Sequence, residues 1–393
     1  MVAATPTVVI AGSGYAGALA AARLVARSRR VQVVLVTPDG QLLERVRLHQ
    51  FLAHGRPVQR PANQLLGERV RIVQARVLDV QPERRVVVTT EGELHWDALL
   101  MATGSVGRAA PADADAQVTD VTLASLTRLR ARLPELQRVG GRVVVCGGGP
   151  TGVEVAAELA EAWPGIHVSI VSNTLPIQEL GRAAAERAMA LLKGLGVEVV
   201  QGAVQRVSAG RVVTSFGDVL ADEVIWAAGV DAELPPGESF VAGRRLEVDA
   251  ALRVSAWPGV FGAGDAVAFV DEAGAVVPMG CKTAMPMAAH AADNILCWLK
   301  GRPLAPFRWK DPGATVAVGR RAAVGVFPSR PGQAPMVVTG RWVAGVKALL
   351  CAWVVLAIQW QARGWIEYRW LQPSLKQGRK SFEKQPVMES GRV

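Results

Sequence analysis

Cysteine is scarce in this chain, four among 393 residues, and Cys146, Cys281, Cys297 and Cys351 stand far apart. There is no Cys-x-x-Cys and no metal-ligand spacing, which argues against structural zinc and for reduced thiols in a cytoplasmic protein. A basic segment followed by an apolar one is also missing at the start; after Pro6 the chain runs straight into a β-forming stretch, so no signal peptide is expected. Acidic residues are in deficit, 34 against 44 Lys and Arg, a net +10. The imbalance is local: from Arg341 to Val393 nine Lys/Arg face three Asp/Glu, which puts +6 in this last stretch. A basic tail of this kind serves nucleic acid, an anionic membrane surface or solubility alone.

Glycine is abundant, 40 residues, and half the chain is apolar, the make-up of a globular α/β enzyme with room for two or three domains. Val143-Val144-Val145-Cys146 runs into Gly147-Gly148-Gly149-Pro150-Thr151-Gly152-Val153-Glu154, and a helical Ala/Glu/Leu pattern follows from Val155 to Ala162. Such a turn faces a pyrophosphate with backbone N–H groups at a helix N-terminus, glycine standing where a side chain would block the approach. One such motif is weak, because glycine-rich turns are common. A second copy, Gly12-x-Gly14-x-x-Gly17, follows Val8-Val9-Ile10, and two nucleotide folds in one chain suggest two dinucleotides exchanging electrons.

Thr7 to Ala11 reads as a buried parallel strand, Tyr15 to Arg27 as a helix and Val31 to Val36 as the next strand, one βαβ unit. The acid that usually meets a ribose hydroxyl belongs near the end of that second strand. Thr37 and Pro38 stand there, with Asp39 close by, so ribose recognition is either shifted by two residues or made by neutral groups. Leu42 to Phe51, with Arg45, Arg47, His49 and Gln50, is expected to begin a helix. His49 either faces a cofactor or is an ordinary surface or satisfied histidine. Val70 to Val73 and Arg85 to Thr89 are expected to carry a small sheet, and Trp96 to Met101 a buried strand ending in Ala102-Thr103-Gly104, small residues that let a loop pass close to a cofactor. Pro111 to Gly141 reads as a connector and a helix.

The second fold continues with strands His167 to Val171 and Val197 to Gln201 around a helix, Ala183 to Leu195, and with Glu223 to Trp226 leading into Ala227-Ala228-Gly229. After its second strand come Ser172, Asn173 and Thr174 with no carboxylate, and Arg182 is not far away, which leaves NADH against NADPH open. Beyond Pro235-Pro236-Gly237 the chain returns to the first domain. Val260 to Asp265 is a strand ending in a tight turn whose one carboxylate suits a polyol hydroxyl, and Met279 to Leu299 reads as a helix interrupted at Pro286.

In this order the pieces resemble the two-dinucleotide-binding flavoproteins, the FAD- and NAD(P)H-dependent pyridine nucleotide oxidoreductases. The matching residues are Gly12-Ser13-Gly14-Tyr15-Ala16-Gly17, Ala102-Thr103-Gly104, Gly147 to Glu154, Ala227-Ala228-Gly229 and Gly262-Ala263-Gly264-Asp265, spread over residues 7 to about 300. Within that family the chain is most similar to the type II NADH:quinone dehydrogenases and the apoptosis-inducing-factor-like and ferroptosis-suppressor-like reductases. The resemblance implies a glutathione-reductase-like α/β fold: FAD domain at 1–110 and 246–310, NAD(P) domain at 111–245, an interface or membrane-association region at 311–375 with α/β character, and a disordered basic tail at 376–393. It implies that FAD lies on Gly12, Gly14, Tyr15, Ala16 and Gly17, near Thr37, Arg47, Val77, Ala102, Thr103, Gly104 and Gly264, with Asp265 on the ribityl chain. NAD(P)H falls to Gly147, Gly149, Pro150, Thr151, Gly152, Ala228 and Gly229. Glu154 is placed near the nicotinamide, against the alternative of a first-turn acid favoured by the helix dipole. Lys282, Thr283 and Ala284 open a helix aimed at the flavin N1/C2 edge, where N–H groups and Lys282 would stabilise the charge that hydride transfer builds. Glu154 and Lys282 are therefore the catalytic candidates.

Two departures narrow the resemblance. The disulfide reductases of the family carry a cysteine pair just after the first βαβ unit, where this chain has Val46 to Ala53 and no cysteine, so a dithiol relay is not expected. Quinone dehydrogenases commonly show a Gln-rich stretch where this chain has Lys282, Met285 and Met287, the methionines reading as core packing.

Trp342 to Trp360 is nearly all apolar, with Lys347 and Gln359 inside it. On a helical period Trp342, Val346, Leu349, Trp353, Leu356 and Trp360 share one face, and the run is about the minimum length for spanning a bilayer. Its lysine and its Trp/Arg flanks, continued by Trp365, Arg369, Trp370, Lys376, Arg379 and Lys380, suit an interfacial anchor on an anionic leaflet; burial in a homodimer or between domains is the competing use. The expected activity is an FAD-dependent NAD(P)H oxidoreductase passing hydride to a quinone-like or other organic acceptor, cytoplasmic or peripheral on the inner face of the cell membrane, with no nucleic-acid partner. Two alternatives share the cofactor: a soluble biosynthetic flavin reductase or oxidase, and a flavin-bound redox-sensing interaction protein.

Overall fold

In the computed structural model the described residues are 5–111, 118–237, 240, 244–272, 274–329 and 333–373. The tail expected from 376 onward lies outside them.

The β-branched run Thr7–Ala11 forms a central strand because both of its faces are covered. Alternate residues Val8 and Ile10 meet a helical layer, while Val9 and Ala11 meet a small antiparallel sheet. In the order Val260–Gly262, Ala98–Met101, Thr7–Ala11, Gln32–Thr37 and Val70–Gln74, five strands pair in parallel. The chain repeats this plan in the order Val118–Asp120, Glu223–Trp226, Arg142–Cys146, His167–Ser172 and Glu198–Gln201, again all parallel. Each sheet carries its own three-stranded antiparallel layer, Val77–Gln81/Val86–Thr89/Gly92–His95 in the first and Val204–Ser208/Arg211–Thr214/Gly217–Leu220 in the second. A third antiparallel sheet, Ala314–Ala317/Ala323–Phe327/Met336–Thr339, follows both.

Eight helices are described. They are α1 (Tyr15–Arg27), α2 (Leu48–His54), α3 (Ala62–Leu66), α4 (Leu123–Val139), α5 (Pro150–Ala162), α6 (Arg182–Gly194), α7 (Cys281–Trp298) and α8 (Arg341–Ala362). Helix α1 is Ala-rich and buried over most of its length, packed between the first sheet and α7 and α8. Its one buried charge, Arg23, is met by Asp293 of α7 at 2.8 and 2.7 Å and by the Tyr368 carbonyl at 2.9 Å. An unpaired guanidinium there would be costly, so the pairing fixes how α1, α7 and the chain after α8 sit together.

Three expectations from sequence are corrected. Val70–Gln74 joins the main parallel sheet beside Gln32–Thr37 and leaves the small sheet to its neighbours. The stretch from Leu42 first makes a short strand, Gln41–Leu43, and a single 3-10 turn before α2 begins at Leu48. Helix α7 runs unbroken through Pro286. Proline withholds one N–H and crowds the carbonyl four residues back; burial of Met285, Met287 and the Ala288–Ala289 turn against α1 outweighs that local loss.

Candidate flavin and nicotinamide site

The two glycine turns are built alike. Gly12 has φ +107 and Gly147 has φ +125, a region favouring glycine. A Cβ on Gly12 would lie 2.4 Å from the Ala102 carbonyl oxygen, and one on Gly147 2.4 Å from that of Ala227. Gly17 and Gly152 in turn pack on the carbonyls of Gly12 and Gly147, where a Cβ would come to 1.8 and 1.9 Å. The middle glycines are different: nothing lies within 4 Å of a Cβ on Gly14, and only one Glu179 oxygen, at 4.0 Å, near one on Gly149. These two are the N-caps of α1 and α5, and neither helix has a side-chain cap. Open space in front of uncapped N–H groups is the cradle a pyrophosphate requires, so both turns fit a dinucleotide.

The strands after the two small-residue motifs join the halves. Ser105–Gly107 pairs antiparallel with Val230–Ala232, just beyond Ala102-Thr103-Gly104 and Ala227-Ala228-Gly229. The Thr103 hydroxyl also donates to the Glu233 carbonyl. This pairing turns the second glycine motif towards the first domain, across one cavity of about 1310 Å³. Tyr15, Asp265 and Lys282 line it from the FAD side, as do Gly147, Gly149, Pro150, Thr151, Glu154, Ala228 and Gly229 from the other. Gly12, Gly14, Ala16, Gly17, Thr37, Arg47, Val77, Ala102, Thr103, Gly104, Gly152, Gly264, Thr283 and Ala284 are not in its wall.

Several of these have other work in the fold. A Cβ on Gly264 would meet those of Ala16 and Ala284 at 3.1 and 3.4 Å, so these three set the close approach of α1 and α7. The Thr283 hydroxyl donates to the carbonyls of Pro278 and Gly280, each at 2.8 Å. Thr37 is fully buried; its hydroxyl accepts from Ser13 at 2.8 Å. Asp39 caps the Gln41 N–H at 3.0 Å in the following turn. Arg47 pairs with the buried Glu44 at 3.4 Å, and Val77 sits half-buried in the small sheet.

Asp265 is oriented from two sides, by the Gly280 N–H at 2.7 Å on Oδ1 and by the Ser105 hydroxyl at 2.9 Å on Oδ2. Each oxygen keeps a lone pair for a ligand hydroxyl. The Tyr15 hydroxyl, in the cavity wall, is buried without a protein partner, and burial raises its pKa.

Lys282 departs from expectation. Its ammonium is held by Asp311 at 2.8 and 3.0 Å and by the Gly313 carbonyl at 3.2 Å, 5.9 Å from the centre of the Trp309 ring. Its charge is thus spent on the loop before Ala314, and the helix end remains as the positive element beside Asp265. Glu154 is no surface acid of a first turn either. It is buried in the cavity wall, where Oε1 accepts from Lys347 Nζ at 3.1 Å and from the Ala317 N–H at 3.1 Å, while Oε2 lies 3.5 Å from His49 Nδ1. Burial pushes its carboxyl up, and Lys347, His49 and the Ala317 N–H together hold it below its ordinary value. For Lys347 burial acts against the charge and Glu154 overcomes it, so the ammonium is stabilised. His49 is buried too, which pulls its pKa down despite Glu154 and Glu158.

Sequence reasoning passed over Ser105, Glu158 and His54, which no motif marks. It noted Lys347 as a lone charge in an apolar helix, and that oddity was the available signal. Of the α8 face it grouped, Trp342, Leu349, Trp353 and Leu356 are exposed and Val346 and Trp360 are half-buried, whereas Lys347 turns inward.

Two dinucleotide turns of the same build, with a cavity between the second of them and Asp265, define a flavin- and nicotinamide-dependent oxidoreductase. The pyridine nucleotide-disulphide oxidoreductase family model matches residues 6–293, and the chain belongs to that family. A NADH dehydrogenase-like protein of Mycobacterium tuberculosis is 30% identical over 332 residues, covering 77% of this chain and 82% of the relative. A type II NADH:quinone oxidoreductase of Staphylococcus aureus is 26% identical over 365 residues, 82% of this chain and 90% of the relative. Among solved structures, the sulfide:quinone oxidoreductase of Aquifex aeolicus superposes with a TM-score of 0.77 at 17% identity, covering 91% and 92% of the two chains. NDH2 from Plasmodium falciparum, in complex with NADH, gives 0.76 at 15%, covering 91% and 96%; at such identity both speak for the fold alone. The chain is an FAD-dependent NAD(P)H oxidoreductase.

Proposed function

We propose that this oxidoreductase passes the electrons of NAD(P)H to a quinone-like acceptor taken up at a membrane surface. One observation carries the reading: Leu350 and Trp353 belong both to the exposed part of α8 and to the wall of the cavity that runs from the second glycine turn to Tyr15, Asp265 and Lys282. An apolar acceptor dissolved in lipid therefore has an apolar doorway to the site. The outward residues of α8 form a band that suits the boundary between headgroups and acyl chains. Although α8 is long and apolar enough to cross a bilayer, Lys347 on its inner side is committed to Glu154, which favours a helix lying on the surface.

FAD, when bound, supplies hydride acceptance at N5 and the return of the electron pair to the acceptor. Gly14 and Gly149 leave the N-termini of α1 and α5 clear for the two pyrophosphates. Asp265, steadied by Ser105, would accept a hydrogen bond from the ribityl chain, and the N-terminus of α7 would offer its positive end to charge on the flavin. Ser172, Asn173 and Thr174 meet the nicotinamide nucleotide's ribose with neutral groups, so both NADH and NADPH are accepted. Glu154 and Lys347, both in the cavity wall, would stand where nicotinamide and acceptor meet. The domain limits follow the same reading: FAD at 1–110 and 246–310, NAD(P)H at 111–245, acceptor and membrane at 311–375.

The test is anaerobic stopped-flow bleaching of the flavin by each nucleotide, followed by reoxidation with short-chain quinones, alongside pelleting with anionic vesicles. Bleaching, quinone-dependent recovery and salt-sensitive pelleting are expected. Recovery only with non-quinone oxidants would remove the acceptor assignment; a dimer that does not pellet would assign the α8 face to a second subunit.

A further inference from the structure

The buried charges around Glu154 extend away from the cavity, into a region the reaction as described leaves unused. His54 on α2 is partly exposed, and its Nε2 lies 2.7 Å from Glu158 Oε2. Glu158, one helical turn beyond Glu154 on α5, is fully buried, and its Oε1 has no hydrogen-bond partner. That oxygen is 3.9 Å from His49 Nε2 and 3.5 Å from Arg320 Nη1. His49 Nδ1 in turn lies 3.5 Å from Glu154 Oε2, and Glu154 Oε1 is 3.1 Å from Lys347 Nζ. A buried carboxylate with an unmet oxygen is a costly way to join two helices.

We propose that His54, Glu158 and His49 form a side-chain proton relay from solvent, across the α2–α5 interface, to the Glu154–Lys347 pair at the cavity. The inference rests on the quinone-like acceptor proposed above. Two-electron reduction of such an acceptor follows NAD(P)H + H⁺ + acceptor → NAD(P)⁺ + reduced acceptor carrying two hydrogens. The hydride brings both electrons and one proton; the second proton comes from water. Glu154 is buried in the cavity wall, so its protonation calls for a route through side chains. The proton enters at His54 Nδ1, and the Nε2–H is released to Glu158 Oε2. Rotation of the neutral Glu158 carboxyl then carries that O–H to the side facing His49 Nε2, which it protonates, and His49 releases a proton from Nδ1 to Glu154 Oε2, its tautomer resetting by a ring turn. The pair then protonates the acceptor oxygen, each N–H or O–H bond broken being replaced by the one formed. The outer contacts are already at bonding distance. Those flanking His49 exceed it, so a small reorientation of this ring closes them in turn. Glu154, Glu158, Lys347 and Arg320 are the charged groups that bear on His49, with Gln50 Nε2 3.4 Å from its Nε2. Burial keeps the imidazole neutral at rest, ready to accept at one nitrogen and donate from the other.

The test compares the half-reactions of the holoenzyme in His54→Gln and Glu158→Gln, with a water-soluble benzoquinone as oxidant. Flavin bleaching by NAD(P)H takes up no proton through the relay and is expected to stay within twofold of wild type. Reoxidation at pH 8 is expected to slow by about tenfold or more, with a larger solvent deuterium isotope effect and partial rescue of His54→Gln by added imidazole. In flavin-free protein the ¹³C signal of the His49 ring should shift in His54→Gln while the melting temperature stays that of wild type. Unchanged reoxidation in His54→Gln, or equal slowing of both half-reactions without isotope effect or rescue, overturns the relay. Wild-type enzyme that is bleached but not reoxidised by quinone would instead sink the acceptor assignment, and the relay with it.

Discussion

Lys347→Met keeps most of the side chain's bulk on α8 and deletes its charge. In the native protein Nζ lies 3.1 Å from Glu154 Oε1 and 3.1 Å from the Thr315 carbonyl, and neither Lys347 nor Glu154 is substantially exposed. Without the ammonium, Glu154 keeps the Ala317 N–H and a neutral His49. A buried carboxylate deprived of its cation costs about 3–5 kcal/mol. Protonation caps that cost: bringing a carboxyl with an ordinary pKa of 4.5 to the neutral state at pH 7.5 takes about 4 kcal/mol, at about 1.4 kcal/mol per unit. The two routes agree on roughly 3–4 kcal/mol. The pH dependence has a definite sign. In wild type the folded-state pKa of Glu154 is lowered, so its stabilisation is present above the ordinary carboxylate range and lost as pH falls through the folded value. In the variant the carboxyl is driven up and takes a proton, so the penalty shrinks by about 1.4 kcal/mol per unit of acidification towards pH 5. Urea midpoints followed by tryptophan fluorescence at pH 7.5 and 5.5 measure both quantities, and Lys347→Met/Glu154→Gln should recover most of the loss. A penalty below about 1 kcal/mol, or one that does not change with pH, would refute the reasoning that this pair is desolvated and mutually dependent.

Gly14→Val should leave the melting temperature of flavin-free protein unchanged while FAD retention falls, because its side chain would enter only the open cradle. Gly17→Ala should instead lower stability itself, its Cβ meeting the Gly12 carbonyl at 1.8 Å; equal behaviour of the two, read by melting and by flavin absorbance, would argue against the cradle. Asp265→Ala should reduce FAD retention, and Ser105→Ala, which removes one of its two hydrogen bonds, should do so more weakly; equilibrium dialysis separates them. Asn173→Asp introduces the acid missing from the second fold, and NADH should then be preferred over NADPH by about tenfold in flavin bleaching, a preference the native chain should lack. Trp342→Ser with Leu349→Ser should abolish vesicle pelleting and spare flavin bleaching, since both side chains face outward.

At the two glycine turns backbone shape was legible from the sequence alone. The two glycine turns, the helix start at Tyr15 and most strands of both parallel sheets were legible, because β-branched runs and glycine spacing act over a few residues, whereas the helix read from Val155 begins at Pro150. Even the outward face of α8 could be drawn on a helical wheel. What only the tertiary structure decided is where charges go. Lys282, in the cavity wall, pairs with Asp311, and Lys347, read as a mark of an interface, reached inward to Glu154. Val70–Gln74 took its place in the main sheet, Val70 beside Val33, 37 positions earlier in the chain. Ser105 found Asp265 from 160 positions away, and His54 found Glu158 from 104. A buried ion must be answered by whichever opposite charge the fold delivers, and that partner is set by packing between distant elements, for which local spacing holds no record.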